Sequence, residues 1–139
     1  RKINDGMGKY VSDQVLSLMK KNALPCLKAK ILIMGITFKE NCPDIRNSRV
    51  IDLIDNFKKV GCCVDVYDPL ASKKEVFDEY KIKLIDKPKS FFYDAVIYTV
   101  AHDEFKKSKI QKVINIIKKD GIIYDVKYLF NIDEVSGRL

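Results

Sequence analysis

The fold is decided by residues 31–48, which read ILIMGITFKENCPDIRNS. The run from Ile31 to Met34 is short, continuous and apolar, which is typical of a strand buried on both faces of a parallel sheet. A polar loop with a single glycine, Gly35, follows the run and leads into an amphipathic helix. Lys39 and Arg46 give that loop fixed positive charge. A strand, a loop and a helix N-terminus in this order predict an anion-binding site.

The remaining sequence alternates between strand and helix patterns. Apolar runs predict further strands at 62–67, 82–85, 94–100 and 121–126. Apolar stripes at helical spacing predict helices at 3–21, from 48 to 60, at 72–80 and from 103 to 117, with a short one in the tail after Tyr128. We therefore predict an α/β fold: a Rossmann-like parallel sheet with helices on both faces, preceded by a long helix and joined by right-handed crossovers.

The first predicted helix is set apart from this alternation. One side of it carries an apolar stripe, formed by Val11, Val15, Leu18 and Met19. Residues 22–29, which include Pro25, are typical of a linker. We therefore expect the helix to lie outside the compact fold, with its stripe covered by a partner subunit or by another domain.

The composition indicates a folded piece of a larger protein. A chain of 139 residues with 47% hydrophobic residues suits one domain with a real core. The chain opens without an initiator methionine and inside a helical pattern, so we interpret it as a fragment. Its first residues show no signal-peptide core, and no apolar run approaches the roughly 20 residues that span a bilayer. We expect no membrane partner.

The cysteines and the histidine do not form a metal-binding pattern. Cys26, Cys42, Cys62 and Cys63 lack the C-x-x-C spacing, and His102 is the only histidine. We therefore expect no metal site and no disulfide framework, and we expect a reducing, cytoplasmic environment.

The net charge of +7 comes from 26 basic and 19 acidic residues. Such an excess is compatible with a nucleic-acid partner. Most lysines, however, fall on the polar faces of predicted helices, for example Lys20-Lys21 and Lys58-Lys59. No aromatic-interleaved RNA-binding motif accompanies them. We interpret the charge as solvated helix surface and expect no nucleic-acid partner.

The candidate site lies in the loops that follow the strands, because ligands bind there in sheets of this class. Lys39 and Arg46 in one loop and Lys127 in another provide cations that suit a phosphate or diphosphate. G-x-G-x-x-G is absent, and no Gly-Lys-Ser/Thr follows to make a P-loop. Asp68 comes 33 positions after Gly35, farther than the roughly 20 of an NAD motif. A self-contained NAD site is therefore disfavoured.

Residues 35–48 resemble the start of the C-terminal, UDP-binding domain of the UDP-glucose/GDP-mannose dehydrogenase family. The resemblance is closest to the bacterial UDP-N-acetyl-D-glucosamine and UDP-N-acetyl-D-galactosamine 6-dehydrogenases that serve surface-polysaccharide synthesis. Supporting motifs follow in the right order along nearly the whole chain: Ile3-Asn4-Asp5-x-Met7, Val66-Tyr67-Asp68-Pro69, Ala101-His102-x-x-Phe105 and Tyr124-Asp125-Val126-Lys127. The resemblance implies that residues 1–24 are the end of a central dimerisation helix and a linker, and that residues 25–139 are the UDP-binding domain.

The resemblance also implies an activity and a set of site residues. Members of the family oxidise the C6 alcohol of a UDP-sugar to a carboxylate in two NAD-dependent steps, through a cysteine-bound thioester. Phe38, Lys39 and Lys127 are expected to contact the UDP-sugar, with Lys127 standing where many members carry arginine. Arg46 is expected to reach NAD, which an N-terminal domain mainly holds. The intact enzyme is expected to be a homodimer through its central helix.

The catalytic parts of that family do not occur in this sequence. The Gly-rich motif with the catalytic cysteine and the G-x-G-x-x-G motif are both absent. Cys42 lies between cations, which is a feature of many nucleophilic cysteines, but its place in the loop does not match the catalytic motif. We interpret Cys42 as a neutral loop residue, and we expect this fragment to hold no catalytic residue and to be inactive alone.

The pattern alone also leaves other functions open. A non-enzymatic, doubly wound module that binds or responds to a nucleotide is the main alternative, and a nucleic-acid module rests only on the charge. A receiver domain is disfavoured, because Gly35-Ile36-Thr37 stands where a receiver needs an acidic pair.

Some polar residues near the loops have structural interpretations. We expect Asp44 to orient Arg46 or to cap backbone N–H groups. Tyr67 and Asp68 are expected to shape a turn, and His102 is expected to be a loop residue at the start of a helix.

Overall fold

A computed structural model describes residues 2–107 and 110–138 of the chain. The helices are α1 (Lys2–Lys21), α2 (Val50–Val60), α3 (Lys73–Tyr80), α4 (Asp103–Lys107) and α5 (Ile110–Ile114), with a 3-10 turn at Ile132–Glu134. The strands are β1 (Lys30–Met34), β2 (Cys63–Tyr67), β3 (Tyr93–Tyr98), β4 (Ile117–Asp125) and β5 (Gly137–Arg138).

The five strands form one sheet in the order β2-β1-β3-β4-β5, and every neighbouring pair is parallel. Ile33 in β1 pairs with Val66 on one side and with Ile97 on the other. The pairing of β3 with β4 shifts register between Tyr93 and Ala95. The prediction of an α/β fold with a parallel sheet is confirmed.

Two apolar cores lie on the two faces of the sheet, because successive side chains of a strand point to opposite faces. Ile31 and Ile33 pack with helices α1 and α2, and we call this side the α1/α2 face. Leu32 and Met34 pack with Phe105 of α4 and with α5 on the opposite side, the α4/α5 face. Helices therefore cover both faces, as the sequence predicts.

Helix α1 is part of this compact structure, so the expectation that it lies outside is wrong. The stripe residues Val11, Val15 and Met19 are fully buried in the core of the α1/α2 face. A Cβ added at Gly8 would lie 2.9 Å from the backbone nitrogen of Leu53, so α1 and α2 cross closely. The same stripe that indicated a partner is covered by α2 within this chain, since α2 presents a matching buried face.

Two smaller predictions differ from the structure, and a third is met in part. Residues 82–85 do not form a strand, although Ile82 and Leu84 are buried. Among the described residues, one backbone hydrogen bond joins this segment to β2, from the Ile85 N–H to the Val66 carbonyl. The tail after Tyr128 holds a short 3-10 helix, as predicted, and also the short strand β5, which was not predicted. In place of one helix from 103 to 117, the structure has the two short helices α4 and α5, and Ile117 is the first residue of β4. Residues 108–109 lie outside the described residues.

The hydroxyl of Tyr124 provides a first prediction about stability. It is buried beside β5, and among the described residues it has no hydrogen-bond partner. Burial raises the pKa of the Tyr124 phenol. We expect Tyr124→Phe to raise the free energy of unfolding by about 1 kcal/mol, because an unsatisfied buried hydroxyl is removed. Urea denaturation measures the change.

The matched control is Tyr93→Phe in the neighbouring strand. The Tyr93 hydroxyl donates a 2.8 Å hydrogen bond to Asp65, so its removal is expected to lower the free energy of unfolding by about 1–2 kcal/mol. If both variants lost stability, the interpretation of Tyr124 as unsatisfied would be incorrect.

Candidate functional site

The carboxyl ends of all five strands meet at one edge of the sheet, because the strands are parallel. The chain leaves β1 toward β2 on one side and leaves β3 toward β4 on the other. The point between β1 and β3 is therefore the topological switch point, where ligands bind in open α/β sheets. The loop of residues 35–49, which we call the cationic loop, and the loop of residues 99–102 border this point.

A cleft of about 110 Å³ opens at the switch point. Its lining includes Phe38 and Lys39 from the cationic loop and Lys127 from the loop after β4. The structure thus brings together the three residues predicted to contact the UDP-sugar. The rest of the lining comprises Met7, Thr37, Glu40, Arg49, Val50, Thr99, Val100 and Ala101. Arg49 was missed from the sequence; its position at the N-terminus of α2 is the signal that could have found it.

The charges around the cleft favour an anion. The described lining residues include three cationic side chains, Lys39, Arg49 and Lys127, and one acidic side chain, Glu40. Val50 begins α2, and its backbone N–H is 3.3 Å from the Ser48 hydroxyl that accepts it. The positive end of the helix dipole therefore adds to the side-chain charges at this point.

Arg46 lies in the cationic loop but not in the lining of the cleft. Its guanidinium donates to both carboxylate oxygens of Asp44, at 3.0 and 2.9 Å, and the side chain is 82% exposed. Asp44 also accepts the backbone N–H of Arg46 at 2.9 Å. These hydrogen bonds lower the pKa of Asp44 to about 2. The expectation that Asp44 orients Arg46 is confirmed, and Arg46 is held outward.

Asp68, at the end of β2, ties the base of the cationic loop to the sheet. Its Oδ2 accepts the backbone N–H groups of Ile36 and Thr37, at 2.8 and 3.3 Å. Its Oδ1 accepts those of Leu70 and Ala71, at 2.8 and 3.1 Å. The turn-shaping role expected for Asp68 is confirmed.

The environment of Asp68 favours its charged form. Burial raises the pKa of this carboxyl, but the hydrogen bonds from His102 and from the backbone outweigh burial and lower the pKa below its ordinary value. A carboxylate that accepts several N–H groups is stabilised in this way.

His102 stands just before α4, as predicted, and its side chain is buried. Its Nε2 lies 3.0 Å from Oδ2 of Asp68 and 3.2 Å from the Thr37 hydroxyl. Its Nδ1 accepts the backbone N–H of Asn41 at 3.0 Å. The sequence interpretation missed these contacts, and the motif Ala101-His102-x-x-Phe105 was the only signal for them.

Cys42 lies in the cationic loop, partly buried, and is not among the lining residues of the cleft. Within the described ranges, no three His, Cys, Asp or Glu side chains come close enough to hold a metal ion. The helices of the same ranges include none with the length and apolar character needed to cross a membrane.

Comparison with known proteins places this geometry in a family. Residues 32–132 match the UDP binding domain of the UDP-glucose/GDP-mannose dehydrogenase family. The chain belongs to this family. The matched range contains both loops that supply Phe38, Lys39 and Lys127 to the cleft.

Relatives in the UDP-glucose/GDP-mannose dehydrogenase family align with the whole chain. The UDP-N-acetyl-D-glucosamine 6-dehydrogenase of Salmonella typhi is 40% identical over 139 residues, which cover 100% of this chain and 33% of that protein. Protein CapL of Staphylococcus aureus is 39% identical over 141 residues, with the same shares of 100% and 33%. The chain thus spans about a third of the length of these relatives.

Solved structures of sugar-nucleotide dehydrogenases share the fold. The NDP-N-acetyl-D-galactosaminuronic acid dehydrogenase from Methanosarcina mazei Go1 superposes with a TM-score of 0.84 at 20% identity, over 96% of this chain and 28% of its own. The UDP-D-ManNAc dehydrogenase from Pyrococcus horikoshii gives a TM-score of 0.77 at 21% identity, over 94% of this chain and 29% of its own. The fold prediction is therefore confirmed twice, by the sheet itself and by these neighbours.

Proposed function

We propose that the cleft binds the diphosphate of a UDP-sugar, with Lys39 and Lys127 as its cationic contacts and Phe38 as an apolar contact. The observation that carries the proposal is the convergence of these residues at the switch point, beside the N-terminus of α2. Lysine ammonium groups and a helix N-terminus are established ways of binding phosphate oxygens. Phe38 is 55% exposed, so its ring is available to a ligand.

The size of the cleft supports a site shared with another part of the protein. Pockets that enclose a small molecule usually measure roughly 300–1,000 Å³, whereas this cleft measures about 110 Å³. On this reasoning, the domain supplies one wall of the binding site, the wall that contacts the phosphates. The rest of the site comes from another part of the intact enzyme.

The intact protein, on this proposal, is an NAD-dependent UDP-N-acetylhexosamine 6-dehydrogenase that oxidises the sugar C6 alcohol to a carboxylate. The names of the Salmonella typhi and Pyrococcus horikoshii relatives support a UDP-N-acetylhexosamine as substrate. NAD would accept the hydride when bound to a separate domain. The outward position of Arg46, away from the cleft, fits contact with a cofactor held there.

The same proposal assigns the parts of the chain. Residues 1–24 would be the end of a central helix and its linker, and residues 25–139 the UDP-binding domain. Because the stripe of α1 is buried against α2, a homodimer would use another side of the helix, where Tyr10 is 54% exposed. The free state of the four cysteines supports a reducing, cytoplasmic location.

Titration of UDP into the purified chain tests the proposed site. We expect Lys39→Met to weaken UDP binding roughly 10- to 100-fold, because one charge-assisted hydrogen bond contributes about 1.5–3 kcal/mol. Isothermal titration calorimetry measures the dissociation constants of both forms.

The matched control is Lys58→Met, which removes an exposed lysine at the far end of α2. This variant should bind UDP as the parent does, since its ammonium is remote from the cleft. Equal affinity of the Lys39 and Lys58 variants, or no binding at millimolar UDP by a folded parent chain, would contradict the proposal.

A further inference from the structure

The tripeptide Phe38-Lys39-Glu40 lines the cleft, and the residues on either side of it, Thr37 and Asn41, both contact the side chain of His102. At one end, the hydroxyl of Thr37 lies 3.2 Å from Nε2 of His102. At the other end, the backbone N–H of Asn41 donates to Nδ1 of His102 at 3.0 Å. The imidazole therefore bridges the two ends of the segment that carries two of the proposed contact residues.

The hydrogen bonds determine which ring nitrogen carries the proton. A backbone N–H can only donate, so Nδ1 must be the unprotonated acceptor and the neutral ring must carry its proton on Nε2. That proton points to Oδ2 of Asp68, at 3.0 Å, and to the Thr37 oxygen. Thr37 can accept it, because its own hydroxyl donates to the Lys39 carbonyl at 3.0 Å.

The groups that hold the ring are themselves fixed. Asp68 is buried, and it accepts backbone N–H groups from Ile36 after β1 and from Leu70 after β2. Asn41 returns the contact, since its side-chain oxygen accepts the backbone N–H of Asp103 at 2.9 Å. The ring also lies against Phe105, with centroids 5.4 Å apart. His102 thus joins the cationic loop to the ends of β2 and β3.

We propose that His102, as the neutral Nε2–H tautomer, is a positioning residue that clamps the cationic loop so that Phe38 and Lys39 face the cleft. It does not line the cleft and is 1% exposed, so it acts on a ligand only through the loop. The expected effect on UDP rests on the proposed function. Without the clamp, a ligand would have to order the loop on binding, which lowers affinity.

Three variants of His102 separate its two contacts. His102→Asn keeps an acceptor near Nδ1 for the Asn41 amide but loses the donor to Asp68. His102→Gln keeps a donor for Asp68 but not the acceptor for Asn41, and His102→Leu loses both. Two readouts apply to each variant: stability in urea, and hydrogen exchange of the Asn41 backbone amide measured by NMR.

We expect the two readouts to rank the variants differently. The Asn41 amide should exchange about five- to tenfold faster in the Leu and Gln variants, the factor expected for one lost hydrogen bond, and should stay protected in the Asn variant. Stability should be higher in the Gln variant than in the Asn variant. UDP affinity should follow the exchange of Asn41 and fall by a similar factor. A residue that served stability alone would move all readouts together, which would overturn the proposal.

The tautomer gives a test that needs neither a variant nor UDP. Long-range proton–nitrogen correlation spectra of the parent chain should show a protonated Nε2 and an unprotonated Nδ1 on His102. The opposite tautomer would overturn the clamp. If the tautomer and the exchange pattern are as expected while the parent chain binds no UDP, the clamp is supported and the proposed ligand is rejected.

Discussion

Replacement of Asp68 by alanine is expected to lower the free energy of unfolding by about 3–5 kcal/mol, the cost of leaving buried charged or polar partners unpaired. The carboxylate accepts hydrogen bonds from four backbone N–H groups and faces His102 Nε2. Its side chain is fully buried, so water cannot replace the lost acceptor without opening the loop. Urea denaturation of both chains measures the difference.

Asp44→Ala is the matched control, because Asp44 also has a lowered pKa but faces solvent with Arg46. Surface ion pairs contribute little to stability, so this variant should unfold as the parent does. Equal losses from the two substitutions would show that burial does not decide the effect. The comparison holds the residue type and the direction of the pKa shift constant and changes only the surroundings.

The pH dependence of stability follows from the sign of the Asp68 shift. The pKa of Asp68 in the folded chain lies below its ordinary value of 3.8, so the folded state holds the proton less tightly than the unfolded state. The stabilisation is present above about pH 4 and is lost as the pH falls through the folded pKa. Asp68→Asn should therefore show a smaller loss of stability between neutral and acid pH than the parent chain.

The strands that could be predicted from the sequence are those with continuous apolar runs. The strands predicted at 31–34 and 94–100 have no polar face, and they correspond to the central strands β1 and β3. β5 has two residues, Gly137 and Arg138, and it forms by pairing with β4. A strand that short carries no periodicity, so only the neighbouring strand defines it.

Helix α1 shows why an apolar stripe predicts burial but not the partner that buries it. Val15 and Met19 have the spacing of a buried helix face in any protein. Whether a second chain or α2 covers that face depends on the path of the linker and on Gly8, which lets the helix backbones approach. These are relations between distant residues, and one helix does not contain them.

The candidate site was predictable in part for a similar reason. Lys39 and Lys127 follow strands, and parallel strands bring their carboxyl ends to one edge, so their convergence follows from the fold. The burial of His102 depends on two other loops, since Thr37 and Asn41 contact it from the cationic loop and Asp68 from the loop after β2. The motif Ala101-His102-x-x-Phe105 drew attention to this histidine, but a motif does not specify which residues contact it.

Substitution of Gly35 by alanine is expected to cost about 3–4 kcal/mol of unfolding free energy, from backbone strain and overpacking together. Gly35 has a φ of +111°, where side chains are strained, and an added Cβ would lie 2.7 Å from Cβ of Val100. The backbone cannot move aside easily. Its N–H donates to the Tyr67 carbonyl at 2.8 Å, and its carbonyl accepts the Thr99 hydroxyl at 2.6 Å.

Gly61→Ala separates the two causes of this effect. Gly61 also has a positive φ, +99°, but an added Cβ there meets the end of the Leu27 side chain, which is 68% exposed and can rotate away. We expect this control to lose only about 1 kcal/mol, the cost of the left-handed backbone. Urea denaturation of both variants measures the losses, and equal values would mean that the contact with Val100 adds nothing.

A double-mutant cycle with Val100→Gly then isolates the steric contact. Val100→Gly removes the Cβ that an alanine at position 35 would meet. It should therefore destabilise the Gly35→Ala background less than it destabilises the parent chain, with an interaction energy on the order of 1–3 kcal/mol. Additive losses would assign the whole effect to backbone strain. In either case Gly35 is required at this point because β1 must turn into the cationic loop while packed between the ends of β2 and β3.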